Sequence, residues 1–283
     1  MINETVNQIE SMRTRSSSIV AVNAAEALRE LVDRECHTVE DFLGTLEQNS
    51  SALRGANLSH APLFTTQKRI VETVSEPEPA TVEEAKSRLI EAIEDVVTEV
   101  ETSKEQAAER AAGLIEDGDA VLTHAHSSTV VATLERAVAD GKSFHLYTTE
   151  SRPHMVGRKT ARQFAGHEAV DVTLLVDGAV GHYVHDVDHL MVGMNCIIDD
   201  VVYNRIGTYP IVATAADAGV TVTIVGSSSK FIGEGFRFRN EFRADSEVLL
   251  EPAEGFDIGN PMYDETPTRL IDFVATEDAV IGF

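Results

Sequence analysis

Hydrophobic residues recur along this chain with two different periods, and the change falls near residue 117. Before it the spacing is helical. Val6, Ile9 and Met12 share one face, and Ile19, Val22, Ala25, Leu28 and Leu31/Val32 share another after Ser16–Ser18, whose hydroxyls suit a helix start. Thr38 opens a third run through Val39, Phe42, Leu43 and Leu46. After the two prolines of SEPEPAT, Thr81 and Glu84 form a capping box, and Leu89, Ile93, Val96/Val97 and Val100 carry a long helix toward Ile115, with a break expected near Thr102–Ser103. Residues 49–80 give no clear period.

From Asp119 the pattern alternates between short β-branched runs and helical runs. Strands are predicted at Ala120–Thr123, Phe144–Thr148, Val170–Val176, Leu190–Val192 and Val220–Val225. Each runs into a loop holding Ser, His, Arg or Asn, and Gly141, Gly166, Gly181 and Gly219 fall where helices end. Such alternation predicts an α/β protein with a parallel sheet, whose chemistry lies along the carboxyl ends of the strands. The predicted layout is a helical domain over residues 1–117 and an α/β ligand-binding domain over residues 118–283, closed by a loop, a short helix and a last strand.

Charge narrows the choice of partner. With 47 acidic and 23 basic residues the net charge is −24, spread along the chain. An extended nucleic-acid surface is excluded, because neutralising phosphates needs a basic face. Self-repulsion of this size is screened at high salt, which suggests a high-salt, halophilic setting. The two cysteines, Cys36 and Cys196, lack metal or disulfide spacing and fit a reducing compartment. MINETVNQIES has no signal-peptide pattern, and no run reaches 18 apolar residues, so a soluble cytoplasmic protein with no membrane contact is expected.

In so acidic a chain, cations at predicted strand ends stand out. LTHAHSS leaves a strand and enters a helix at Ser127 and Ser128, where backbone N–H groups and hydroxyls suit a phosphate; Ser127 equally suits a plain N-cap. Glu150 and Arg152 follow the next strand, and Arg suits bidentate phosphate contact. Asn204 and Arg205 precede a glycine turn and Thr208. Lys230 lies past the strand Val220–Val225, and Arg15 stands beside Ser16 and Ser17. His124 and His126 alternate on an extended segment but nothing fixes a third ligand, so no metal and no cofactor are expected.

THAHSS, TESRPHMVGRK, NRIGT, SKF and NPMYDETP, in this order, resemble one superfamily. It joins the α, β and δ subunits of translation initiation factor 2B, ribose-1,5-bisphosphate isomerase and methylthioribose-1-phosphate isomerase. The resemblance runs from about Glu10 to the C-terminus and is strongest after residue 119. It implies a helical domain followed by a Rossmann-like domain, assembly into homodimers or larger oligomers, a sugar-phosphate or nucleotide ligand and a translation-factor partner. By position, it places Arg15, Ser16 and Ser17 at an Arg-Gly phosphate loop, with Ser16 standing for the glycine. Ser127, Ser128 and Lys230 fall at phosphate contacts, Arg152 at the arginine of an acidic-x-Arg-Pro loop, and Asn204–Arg205 at an Asn-Lys pair that holds substrate. Glu150, Asn195 and Asn204 would meet sugar hydroxyls.

The two catalytic positions depart from the isomerases. Their Thr-His-Cys is Thr123–His124–Ala125 here, and their Gly-Ala-Asp is Gly193–Met194–Asn195. Moving a proton from one sugar carbon to the next needs an acid and a base that exchange near neutral pH, and neither methyl nor amide does so. Alanine also stands at the cysteine position of the initiation-factor subunits. The expectation is therefore a catalytically silent, initiation-factor-2B-like regulator that binds a sugar phosphate. The rival is an aldose–ketose isomerase of a phosphorylated pentose, with His126 carrying the proton.

Overall fold

The structure, a computed structural model, describes residues 2–10, 17–233, 236, 238–251 and 253–283, with Ser17 described by its backbone alone. The chain divides into two compact units. One comprises residues 2–102 together with the short segment around Phe236; the other comprises residues 103–233 and 240–283.

The first unit is helical: α1 (Ile2–Glu10), α2 (Ser17–Ala27), α3 (Val39–Gly55), α4 (Ala61–Ser75) and most of α5 (Val82–Ala112). Thr38 caps α3, its hydroxyl accepting from Asp41 N at 3.1 Å. The capping box forms at α5, where Glu84 N donates to Thr81 Oγ1 at 3.1 Å and Glu84 Oε2 accepts from Ala80 N at 2.8 Å. Helix α4 fills the stretch without a clear period. Its start is held by Pro62 and by His60 Nδ1, which accepts from Leu63 N. Phe42, Leu46, Leu53, Leu63, Ile70, Leu89 and Ile93 form the core of this unit.

Helix α5 runs through the expected break at Thr102–Ser103, and the Thr102 hydroxyl folds back onto Thr98 O instead of ending it. The division between units falls inside this helix, between Thr102 and Ser103, rather than at residue 117. Ala111, Ala112 and Ile115 explain the difference, because they belong to the core of the second unit.

That unit is built on a seven-stranded sheet. Its strands are β1 (Ala120–His124), β2 (Phe144–Thr149), β3 (Val170–Leu175), β4 (His189–Gly193), β7 (Thr221–Val225), β10 (Phe273–Ala275) and β11 (Val280–Gly282). The order is β11-β10-β7-β4-β1-β2-β3, parallel except for β11. Between strands run α6 (Ser128–Ala139), α7 (Gly157–Phe164), α8 (Val180–Tyr183) and α9 (Thr208–Ala218). Parallel strands are buried on both faces, and the side chains alternate accordingly. Val121, Leu146 and Met191 join α6 and α7 in one core, while Leu122, Tyr147, Leu190 and Val192 join α8 and α9 in another.

A second sheet, of order β8-β5-β6-β9, grows from the end of β4. It contains β5 (Cys196–Ile198), β6 (Val201–Arg205), β8 (Phe231–Ile232) and β9 (Tyr263–Pro267). The sequence pattern did not resolve it. The closing segment holds the strands β9, β10 and β11, and its predicted short helix is a single 3-10 turn, Thr268–Leu270. Among the described residues no helix is long and apolar enough to cross a membrane.

Candidate functional site

The chain passes from β1 outward to β2 and β3, then returns to place β4 on the other side of β1. The crevice beyond the carboxyl ends of β1 and β4 is thus a point where the strand order reverses, the usual place for a ligand in such sheets. Ser127 and Ser128 follow β1 and open α6, with the Ser127 hydroxyl at 3.4 Å from Val130 N. Across from them stands Gly193, where a Cβ would lie 2.3 Å from Ser127 Oγ. Only glycine lets β4 end this close to the helix start.

Asn195, in the short link between β4 and β5, is buried, and its N–H donates to Tyr203 O at 2.9 Å. Its amide Nδ2 lies 3.8 Å from Cys196 Sγ. Burial pushes the Cys196 thiol up to about 12, so it holds its proton. Lys230 ends the 3-10 turn after β7 (Ser228–Lys230). Its ammonium donates to Met194 O at 2.8 Å, which puts it beside the same strand end.

The turn after β2 is fixed by an acid that the sequence reading passed over. Asp177, just beyond β3, accepts from Ser151 N at 2.7 Å and from Arg152 N at 2.6 Å, leaving the Arg152 side chain exposed. Glu150 is paired with Arg158 at 2.7 Å. At the β6–α9 corner, Asn204 Nδ2 donates to Thr208 Oγ1 at 3.1 Å, and the Arg205 guanidinium lies 5.4 Å from the Tyr263 ring centre. Asp264 accepts from Gly207 N and Tyr209 N at 2.7 and 3.0 Å and so holds this corner.

The two histidines after β1 have different surroundings. His124 is buried; its Nε2 donates to Ile206 O at 2.8 Å and its Nδ1 therefore accepts from Thr149 Oγ1 at 2.6 Å. Both nitrogens are used, and burial lowers its pKa despite the Ile206 bond, so it is a neutral clamp between three strand ends. His126 is half-buried, with Nδ1 3.0 Å from Thr160 Oγ1, while that hydroxyl donates to Ala125 O at 3.0 Å. Since the hydroxyl has one proton and spends it on the carbonyl, His126 Nδ1 is the donor and Nε2 keeps a lone pair. Burial, then the Lys159 charge, lowers its pKa, so the ring is neutral at pH 7.

The structure thus gathers Ser127, Gly193, Asn195 and Lys230 at adjoining strand ends and sets Asn204 and Arg205 on the β6–α9 corner. Arg152 lies on a separate turn. Arg15 and Ser16 lie outside the described residues, as does the side chain of Ser17.

A parallel sheet with polar groups at a strand-order reversal defines a Rossmann-like α/β class. Within that class, the sequence pattern of the Initiation factor 2 subunit family (IF-2B) matches residues 13–282, and the chain belongs to that family. The ribose 1,5-bisphosphate isomerase of Methanocaldococcus jannaschii is 28% identical over 288 residues, covering 99% of this chain and 91% of the relative. The protein of the same name from Haloterrigena turkmenica is 31% identical over 295 residues, covering 96% and 88%. Among solved structures, the tetrameric eIF2B-beta2-delta2 complex from C. thermophilum matches with a TM-score of 0.86 at 21% identity, over 98% of this chain and 90% of that one, a likeness of fold.

These relatives correct the expectation of a silent regulator. Six archaeal proteins that match this chain nearly end to end are named ribose 1,5-bisphosphate isomerase, which favours the isomerase reading. The expectation drawn from Ala125 and Asn195 ranked proton transfer by His126 only as the rival, and the relatives favour that rival. Two titratable side chains lie near those positions: His126 is one residue from Ala125, and Lys230 is in contact with Met194.

Proposed function

We propose that this chain is an aldose–ketose isomerase acting on a phosphorylated pentose of the ribose 1,5-bisphosphate type. The full-length similarity to proteins named for that activity carries the reading. The strand-end crevice supports it, with a helix N-terminus and two hydroxyls for a phosphate. Ser127, Ser128, Arg205 and Lys230 take phosphate. Arg152 takes phosphate or ribose, and Asn195, Asn204 and Glu150 take sugar hydroxyls. The chain works as a homodimer or larger assembly in the cytoplasm, and its acidity suits high salt.

A pentose phosphorylated on O1 has no free aldehyde, so reaching the ketose requires the C1–O4 bond to open. A proton goes to O4 as that bond breaks, and a base removes the hydrogen on C2, leaving a C1–C2 enol phosphate. The O2–H proton then departs as C2 becomes the carbonyl, and C1 receives a proton. His126 is the base in this scheme: its Nε2 lone pair takes the C2 proton and returns it to C1. Asn195 lacks an exchangeable acid proton and serves only as a hydrogen-bonding group.

Incubating the protein with ribose 1,5-bisphosphate and following the sugar by NMR tests the reading. Conversion to the corresponding ketose is expected, with His126→Ala slowing it roughly 10²–10⁴-fold. Unchanged substrate with folded wild-type protein contradicts it.

A further inference from the structure

Lys230 is buried, at 7% exposure, in a chain whose cations are mostly on the surface. An ammonium has three N–H donors. One reaches Met194 O at 2.8 Å, and among the described residues no other acceptor or carboxylate lies within bonding distance. The carboxylate felt there, Glu277, is committed elsewhere: its oxygens accept from Ser227 Oγ, Ser228 Oγ and Ser228 N at 3.0, 2.8 and 2.8 Å. Those bonds outweigh its own burial and hold the Glu277 carboxyl below the usual range, so it stays charged and anchors the turn before Lys230.

The lysine stem is packed as closely as its head is placed. At Gly226 a Cβ would come within 2.8 Å of Met194 Cε and 3.5 Å of Lys230 Cδ, so the absent side chain leaves the slot in which Lys230 and Met194 lie side by side. A buried ammonium with one neutral acceptor is an energetic liability, and an apolar side chain of the same length would be more stable here. The resemblance sets Lys230 among the phosphate contacts, one reason to keep the charge; its place on Met194 O, one residue from Asn195 at the β4 end, supplies another.

We propose that Lys230 is the proton donor of the reaction: its ammonium protonates O4 as the C1–O4 bond opens, and the resulting amine takes the O2–H proton as C2 becomes the carbonyl. This rests on the isomerase reading above. The balance closes, since the proton lent to O4 is recovered from O2 while His126 moves the other from C2 to C1, and no further reactant is needed. Burial brings the Lys230 pKa down to about 8, close enough to neutrality for donation and recovery in one turnover. The adjacent Cys196 does not replace it, since its thiol titrates at about 12.

The test compares wild type, Lys230→Met and Lys230→Ala on ribose 1,5-bisphosphate, each with a thermal melt. For Lys230→Met, kcat is expected to fall by roughly 10²–10⁴-fold, well beyond any rise in KM from a lost phosphate contact, with no loss of melting temperature. For Lys230→Ala, added ethylammonium should restore part of the rate, and the alkaline fall in wild-type kcat near pH 8 should vanish from the residual activity. Should Lys230→Ala not fold, the Met variant and its pH profile decide alone. An active wild type with a Met variant within threefold of it in kcat, or with an unmoved alkaline limb, overturns the role of Lys230 and leaves the isomerase standing. A folded but inert wild type overturns both.

Discussion

The turn after β2 and the turn after β7 both carry a cation past a strand end, and both are braced by an acid from further along the chain. Their cations end in opposite places. Asp177 holds the backbone of Ser151 and Arg152, and the Arg152 side chain remains in water. Glu277 holds Ser227 and Ser228, and Lys230 is turned inward onto Met194 O. A hydrated guanidinium on a rigid turn is suited to capturing an anion, because it gives up little on binding. A desolvated ammonium costs stability at rest and is suited to giving up its proton. Under the proposed function, the contrast would separate binding from chemistry within a set of cations that look alike in the sequence.

The largest effect that sharpens this contrast is on stability. The pKa of Lys230 falls from 10.5 to about 8 on folding, a penalty on the order of 3 kcal/mol at pH 7. Between pH 8 and 10.5 the unfolded chain holds a proton there that the folded chain has released, so this contribution makes stability rise with pH across that window. Denaturant unfolding should show Lys230→Met more stable than wild type at pH 7, with the gap closing toward pH 10.5. A Met variant that is less stable at pH 7 would mean the ammonium is a structural bond, and the contrast would break.

Arg152→Ala should act on binding instead. KM for the bisphosphate is expected to rise about tenfold, near 1.4 kcal/mol, with kcat held within about threefold and the loss shrinking as salt is raised. Steady-state kinetics at two salt concentrations checks this. A fall in kcat at unchanged KM would move Arg152 into the chemistry.

Much of the sheet was legible because parallel strands announce themselves: short β-branched runs, each followed by a helical run, as at Ala120–His124 and Phe144–Thr149. The capping box at Thr81 was equally plain, being a local signal of two residues. The second sheet was not, since its partners are remote: β6 pairs with β9 through Asn204↔Asp264, sixty residues away. A hairpin cue did exist in Cys196–Ile198, a two-residue Asp199–Asp200 turn and Val201–Arg205, with Asp199 at φ 50.

Other parts of the site were hidden by composition. Asp177, Asp264 and Glu277 each fasten a strand-end turn, yet in a chain with 47 acidic residues none differs on paper from surface charge. Burial decides the rest. That Lys230 is buried while Arg152 is exposed depends on the slot opened at Gly226 and on the placement of Met194, which no local pattern carries.

The pH dependence of kcat/KM on ribose 1,5-bisphosphate bears most directly on the claim that this chain isomerises with its own acid and base. The base must be neutral, so activity falls as the medium is acidified through the His126 pKa, below 6.5. The acid must be charged, so activity falls again as pH rises through about 8. A bell between those limits, losing its acid limb in His126→Ala and its alkaline limb in Lys230→Met, is the predicted result. A profile flat from pH 5 to 9, or limbs that survive both substitutions, would contradict the account.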